Sequence, residues 1–321
     1  MAIAGEGTKT NPWLAHSYDE LKEITTTKGS SGGQLYYIRL ENDIDCNSKE
    51  YPKGFEWEGI NLWRTPSYGY IQFDLDLNEK AIRNVQIKQN SYLFEGRSLN
   101  VRLEPNTSAQ TIPSAIRNGK ILNIFNGGAK NVISGYASTS SPGTEMLLEG
   151  VSFSIDGNGI KEATFYHVSF EACAVYFKAA QLEAGAYFVQ NYTIFYNNAN
   201  NTDFWLDIGK LPPDRNDLFY DYAYSGSGEY GYWYGCRFQG KVEQGGVQFR
   251  KLSGCVFDMD ITLTENDFPL FVNSNGVFNK DKIHSEEPYS GSYMIPVTNE
   301  EMRSKDPEVL TEKGFPVVKD V

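Results

Sequence analysis

Residues 150–170 read GVSFSIDGNGIKEATFYHVSF, and residues 235–257 read GCRFQGKVEQGGVQFRKLSGCVF. Each stretch holds two copies of a short phrase ending in phenylalanine: GVSF at Phe153, HVSF at Phe170, GCRF at Phe238 and GCVF at Phe257. A fifth copy, YTIF, ends at Phe195. Successive phenylalanines stand 17 residues (153 to 170), 25 (170 to 195) and, in the last pair, 19 (238 to 257) apart. Spacings of roughly 20 residues match one coil of a parallel β-helix, where each coil stacks like side chains on like. Cys236 and Cys255 each precede their phenylalanine by two residues, as a ladder of matched side chains requires. The competing explanation is chance recurrence of a strand phrase in a β-sandwich.

Working outward from these phrases, the chain between residues 34 and 296 is a succession of short alternating runs. QLYYIRLEND, GYIQFDLDL, RNVQIKQ, LNVRLEP, GKILNIFN, GAYFVQNYTIFY and LSGCVFDMDITLT all alternate apolar with polar residues, the period of a half-buried strand. Asn-Gly at 118–119, 126–127, 158–159 and 275–276 predicts tight turns. Helical signals are confined to the ends. Ser17 with Glu20 forms a capping box before Leu21 and Ile24, predicting a helix at about residues 18–26. Thr298 with Glu301 forms a second, and Asp306-Pro307 starts a turn that Gly314 stops. A solenoid leaves unpaired backbone at both ends, so caps belong there. The expected organisation is an N-terminal capping segment (1–33), a β-helix body (34–296) with an aromatic-rich insertion at about 200–234, and a C-terminal helical tail (297–321).

Composition narrows the partners. Lys+Arg number 29 against 41 Asp+Glu, a formal charge of −12, which argues against a phosphate-binding groove and against anionic lipid. The first residues, MAIAGEGTKTNPW, carry no basic flank or apolar run, so no signal peptide is expected, and no window has the ~20 apolar residues of a membrane helix. The four cysteines, Cys46, Cys173, Cys236 and Cys255, are scattered without metal-ligand spacing and read as buried thiols.

IRNGKILNIF (116–125), LLEGVSFSIDG and YHVSFEACAVYF resemble the strand-and-asparagine phrasing of right-handed parallel β-helix proteins of the pectate-lyase-like group. GEGTKTNPWLAHSYDELKEI (5–24) and YYIRLENDIDCN (36–47) are similar to the opening of β-helix modules in bacterial surface proteins and bacteriophage virions. VTNEEMRSKDPEVLTEKGFPVV (297–318) is similar to the tail that finishes them. The fold expected is all-β: a single-stranded right-handed parallel β-helix with short capping helices at both ends. The resemblance implies a structural component of a bacteriophage virion, such as a head fibre, tail fibre or spike, or decoration protein, made in the host cytoplasm. It implies homotrimers, contacts with other virion proteins, and recognition of host surface glycan. A β-helix polysaccharide lyase or hydrolase and a bacterial surface adhesin module are the alternatives.

Evidence for catalysis in the residues is thin. Asp258 and Asp260 in FDMDI, and Asp74 and Asp76 in FDLDL, each lie two apart on a strand and so share a face. The favoured reading of both pairs is a strand with its polar face in water. Arg237, Arg250 and Lys251 lie near the first pair in sequence without forming an acid–base grouping, and His16, His167 and His284 are far apart. No catalytic residue, cofactor or metal site is assigned. The most informative local feature is DLFYDYAYSGSGEYGYWY (217–234), whose Tyr222, Tyr224, Tyr230, Tyr232, Trp233 and Tyr234 are candidates for a subunit interface or a glycan-binding surface. Covering the core beneath a long coil insertion remains open for them. Phe204 and Trp205 are assigned to the same protrusion.

Overall fold

The computed structural model describes residues 3–30, 32–52, 54–66, 69–103, 108–125, 128–136, 145–184, 186–191, 197–211, 219–221, 232–244, 249–261, 270–283, 289–290 and 293–303. Its strands form sheets of 19, six and three strands, whose pairings are parallel except where Trp63–Arg64 meets Ile71–Asp76. A separate two-stranded hairpin, Leu99–Val101 with Gln110–Ile112, is antiparallel. The chain is a parallel β-helix. One coil shows the plan. Ala163–Tyr166 lies in the six-stranded sheet, the backbone turns at His167, Val168–Glu171 joins the large sheet, and a second corner at Ala172 leads into Ala174–Gln181.

Two columns of inward side chains run through the core. One stacks Ile44, Ile82, Ile121, Phe153, Val175, Phe204, Phe238, Phe257 and Phe278 in register. The other stacks Trp13, Ile38, Leu75, Ile116, Leu148, Phe170, Ala199, Trp233 and Leu252. Phe153, Phe238 and Phe257 therefore share a column as the sequence repeat requires, but Phe170 belongs to the neighbouring one. The 17-residue interval joins two walls of consecutive turns, and the true interval at that level is 22 (153 to 175). Phe195 lies outside the described residues. Coils vary from 18 residues (278 to 296) to 41 (75 to 116), and the excess length leaves the wall as loops.

The corner between the two walls is a column of left-handed backbone: Asn118, Gly150, Ala172, Asn201, Gly235 and Gly254 have φ between 45° and 62°. Glycine and asparagine tolerate this conformation because it crowds Cβ against the carbonyl oxygen. Asn118-Gly119 thus marks a bend within a strand and Asn275-Gly276 opens one, neither being a hairpin turn, whereas Asn158-Gly159 sits in a turn. Asn126-Gly127 lies outside the described residues. Ala172 is the one non-Gly, non-Asn member of this column. Ala172→Gly is expected to stabilise the protein by about 1 kcal/mol, read as a raised urea midpoint; a lowered midpoint would refute the strain.

Immediately after the corner comes a column of small donors. Thr202 Oγ1 donates to the Asn200 carbonyl two residues back (2.9 Å), and the thiols of Cys173, Cys236 and Cys255 do the same to Glu171 (3.4 Å), Tyr234 (3.4 Å) and Ser253 (3.6 Å). All four cysteines are buried, and Cys236 aligns with Cys255 as the ladder predicts. Burial pushes the Cys173 thiol up to about 11 and Cys46 up to about 12, so both stay protonated at neutral pH.

The ends are capped as expected. The first helix spans Tyr18–Thr27, and Glu20 N–H donates to Ser17 Oγ. The return bond shifts by one residue: Glu20 Oε2 accepts from His16 N–H (2.8 Å), not from Ser17. At the other end Thr298 Oγ1 accepts from Glu301 N–H (3.1 Å) and Glu301 Oε2 from Thr298 N–H (2.7 Å), a complete box that opens the helix Asn299–Arg303. The Asp306–Gly314 turn lies outside the described residues. Trp13–Ala15, within the expected capping segment, already pairs with Gln34–Leu40, so the solenoid wall begins ahead of the helix.

Candidate functional site

Alternation in IQFDLD puts Phe73 and Leu75 in the core, which obliges Asp74 and Asp76 to face outward. Parallel pairing then lines up Arg39, Asp76, Arg117 and Glu149 across four neighbouring strands, and Tyr37 beside Asp74. Opposite charges alternate along that row. Leu99–Val101, from the run LNVRLEP read in sequence as a half-buried strand, belongs instead to the outer hairpin, and the apolar cluster of Leu35, Leu99 and Val101 covers part of this face. Leu103, Ile112, Lys9 and Pro12 complete the lining of a groove of about 600 Å³ along this row. No apolar strand pattern announces such a groove, because its walls come from segments that meet only once the coils are in register.

The groove's charges are held in place. Arg117 Nε donates to both Asp74 oxygens (3.0 and 3.1 Å), and its Nη1 pairs with Glu149. Burial pushes the Asp74 carboxyl upward, and the Arg117 guanidinium opposes that shift. Asp76 Oδ1 accepts from Asn78 N–H (2.9 Å) and Asn118 Nδ2 (3.3 Å). Arg39 Nε donates to Glu41 (2.6 Å), and Lys9 stands exposed at the rim.

The second carboxylate pair is built differently. Asp258 is tied to Lys282 (2.8 Å) and accepts from Asn279 Nδ2 (2.7 Å). Asp260 ends an outer row of Asp156, Lys178, Asp207, Lys241 and Asp260, whose alternating signs avoid like-charge neighbours. Arg237 is committed to Asp203 through two bonds (3.0 and 2.7 Å), and Lys251 forms a left-handed corner. The Arg250 side chain lies outside the described residues. The structure does not assemble these groups into one site. His167 is 3% exposed, and its φ of 54° turns the chain at the corner between Ala163–Tyr166 and Val168–Glu171. His16 bonds Glu20 through Nδ1 (2.9 Å), and His284 lies outside the described residues. Among the described residues no group of three or more His, Cys, Asp or Glu could hold a metal, and no helix is long and apolar enough to cross a membrane.

The aromatic segment divides. Tyr222, Tyr224 and Tyr230, and the side chain of Tyr232, lie outside the described residues. Trp233 is 3% exposed and packs edge-on against Phe204 (5.7 Å) and Phe238 (6.1 Å), so it belongs to the core. Tyr234 faces outward and is 38% exposed. Phe204 and Trp205 do not belong to a protrusion: Asp203–Lys210 is a solenoid strand, with Phe204 in the core and Trp205 exposed beside Tyr176.

No family model matches the chain, and no curated protein matches it. Among solved structures it is similar to one described as "a putative immunoglobulin A1 protease" from Bacteroides ovatus. That likeness has a TM-score of 0.47 and 11% identity, and covers 96% of this chain and 89% of the other.

Proposed function

We propose that the chain is a rigid attachment element, a β-helix of the kind built into bacteriophage virions, that holds a host surface saccharide in the Asp74–Arg117 groove without cleaving it. The observation that carries this reading is the commitment of the groove's acids. Glycoside hydrolysis needs one carboxyl to give a proton and a second to activate water or attack. Both Asp74 oxygens are engaged by one guanidinium, and Asp76 is anchored by two donors. Fixed, alternating charges beside Tyr37 suit the hydroxyl groups and flat faces of an extended sugar chain. The rigid wall beneath the groove suits an element that transmits position rather than moving.

The test is a binding titration with bacterial capsular and lipopolysaccharide glycans, alongside assays for new reducing ends and unsaturated uronates. Saturable binding without product is expected. Lys9→Ala combined with Arg39→Ala should weaken binding at least tenfold, about 1.4 kcal/mol, while the thermal midpoint stays within about 2 °C, since Lys9 is exposed and Arg39 is half-exposed in a surface ion pair. Release of cleaved sugar would instead establish the depolymerase alternative, and undiminished binding by the double variant would remove the groove from the account.

A further inference from the structure

A second polar cluster lies on the other side of the outer hairpin. Trp63 packs against the same Leu35–Leu99–Val101 cluster as the groove residues Tyr37 and Ile112, but turns toward Arg97. The Arg97 guanidinium carbon sits 5.0 Å from the Trp63 ring centre, 5.0 Å from Tyr136 and 5.9 Å from Tyr70. The Trp63 and Tyr136 rings are themselves 5.0 Å apart, and Tyr70 and Tyr136 are more than 40% exposed. Three ring faces thus hold one guanidinium at the surface.

Its hydrogen-bonding capacity is unspent. Arg39, Arg83, Arg117 and Arg237 each pair with a carboxylate, and Arg64 donates to the carbonyls at the end of the first helix. Among the described residues, the Arg97 guanidinium makes no ion pair and no hydrogen bond. The two acids nearby are employed elsewhere: Glu95 accepts from Trp63 Nε1 (3.2 Å) and Glu145 from Ser98 N–H (2.6 Å). A planar cation held between rings, with no acceptor among the described residues, is complementary to a planar anion beside an apolar face.

We propose that Arg97, framed by Trp63, Tyr70 and Tyr136, is a binding site for the carboxylate of an acidic sugar unit, with the sugar ring lying against the aromatic faces. The guanidinium fork receives the carboxylate in bidentate fashion, and the exposed tyrosine rings receive the C–H face of the pyranose. The site is separate from the groove, and its failure would leave the groove reading standing.

Trigalacturonate, its methyl ester and a poly-glutamate peptide are titrated into the full-length protein, with Lys9→Ala/Arg39→Ala as a groove control. Trigalacturonate is expected to bind wild type and the groove control alike. The ester and the peptide should each bind at least tenfold more weakly. Arg97→Gln should lose at least tenfold in affinity for trigalacturonate with an unchanged circular dichroism spectrum, and Arg97→Lys, which keeps the charge without the fork, should fall between. Equal affinity for the ester, equal affinity for the peptide, full retention by Arg97→Gln, or no binding of trigalacturonate at millimolar concentration would each overturn the assignment.

Discussion

Phe238→Ala is expected to cost about 3–5 kcal/mol of stability, the range for truncating a fully buried phenylalanine. Phe238 is 0% exposed and occupies the middle of the aromatic column. It stacks on Phe204 at 5.3 Å with an interplanar angle of 15°, lies 5.9 Å from Phe257, and meets the Phe249 ring at 64°. No neighbour can close the gap, because each is pinned to its own coil by backbone pairing. The loss also falls at a junction. A solenoid's stability is close to a sum of coils and the interfaces between them, so weakening one interface lowers cooperativity as well as the midpoint. Urea unfolding should show a lower midpoint and a broadened transition. Phe125→Ala, on the outer face and 46% exposed, should stay within about 0.5 kcal/mol. Similar losses in the two variants would contradict the assignment of inner and outer faces.

Glu145→Gln is expected to stabilise the protein in a pH-dependent way. Glu145 is 2% exposed; burial raises its carboxyl to about 7 from the usual 4.5, and the Ser98 N–H bond and the Arg97 charge only partly oppose the shift. A raised carboxyl favours the folded state fully below its unfolded value, and that advantage is lost as pH climbs through the folded value. The ionised group therefore costs about 1 kcal/mol at pH 5 and about 3 kcal/mol at pH 8. Glutamine stays neutral and still offers Ser98 N–H an oxygen. The difference in unfolding free energy between variant and wild type should thus grow by about 2 kcal/mol from pH 5 to pH 8. A difference that is the same at both values would sink the claim that Glu145 ionises while buried.

The fold was readable because the β-helix writes itself in local signals: alternation, Asn and Gly at the corners, and capping boxes at both ends. Even so, HVSF at Phe170 misled. It resembles GVSF at Phe153 because both strands face one core, while register alone decides that Phe153 stacks on Val175 and Phe170 on Leu148. Trp233 shows the same limit. An aromatic run flanked by Gly and Ser looks like a surface, yet pairing with Ala199 and Leu252 turns that one side chain inward. Asp74 and Asp76 were visible as a pair, but Arg117, some forty positions further along, acquires meaning only once the register makes its strand their neighbour. The Arg97 site left no local trace, since residues 63 and 70, residue 97 and residue 136 come from three successive turns of the chain.

The capping helices have a mechanical consequence. Backbone bonds between coils lie along the solenoid axis, so compression and bending are resisted by every rung of the wall together. Tension is different, because a pulled terminus can unwind one coil at a time, loading only the bonds of the outermost turn. Resistance to peeling is therefore set where the wall begins and stops. At the start, the first helix packs Leu21 and Ile24 into the core and its end is clasped by Arg64. At the other end, the Thr298–Glu301 box closes over Met302, which packs with Val256, Val277 and Val297. A tether fixed at one end of this molecule would hold as firmly as those few contacts, however long the column between them.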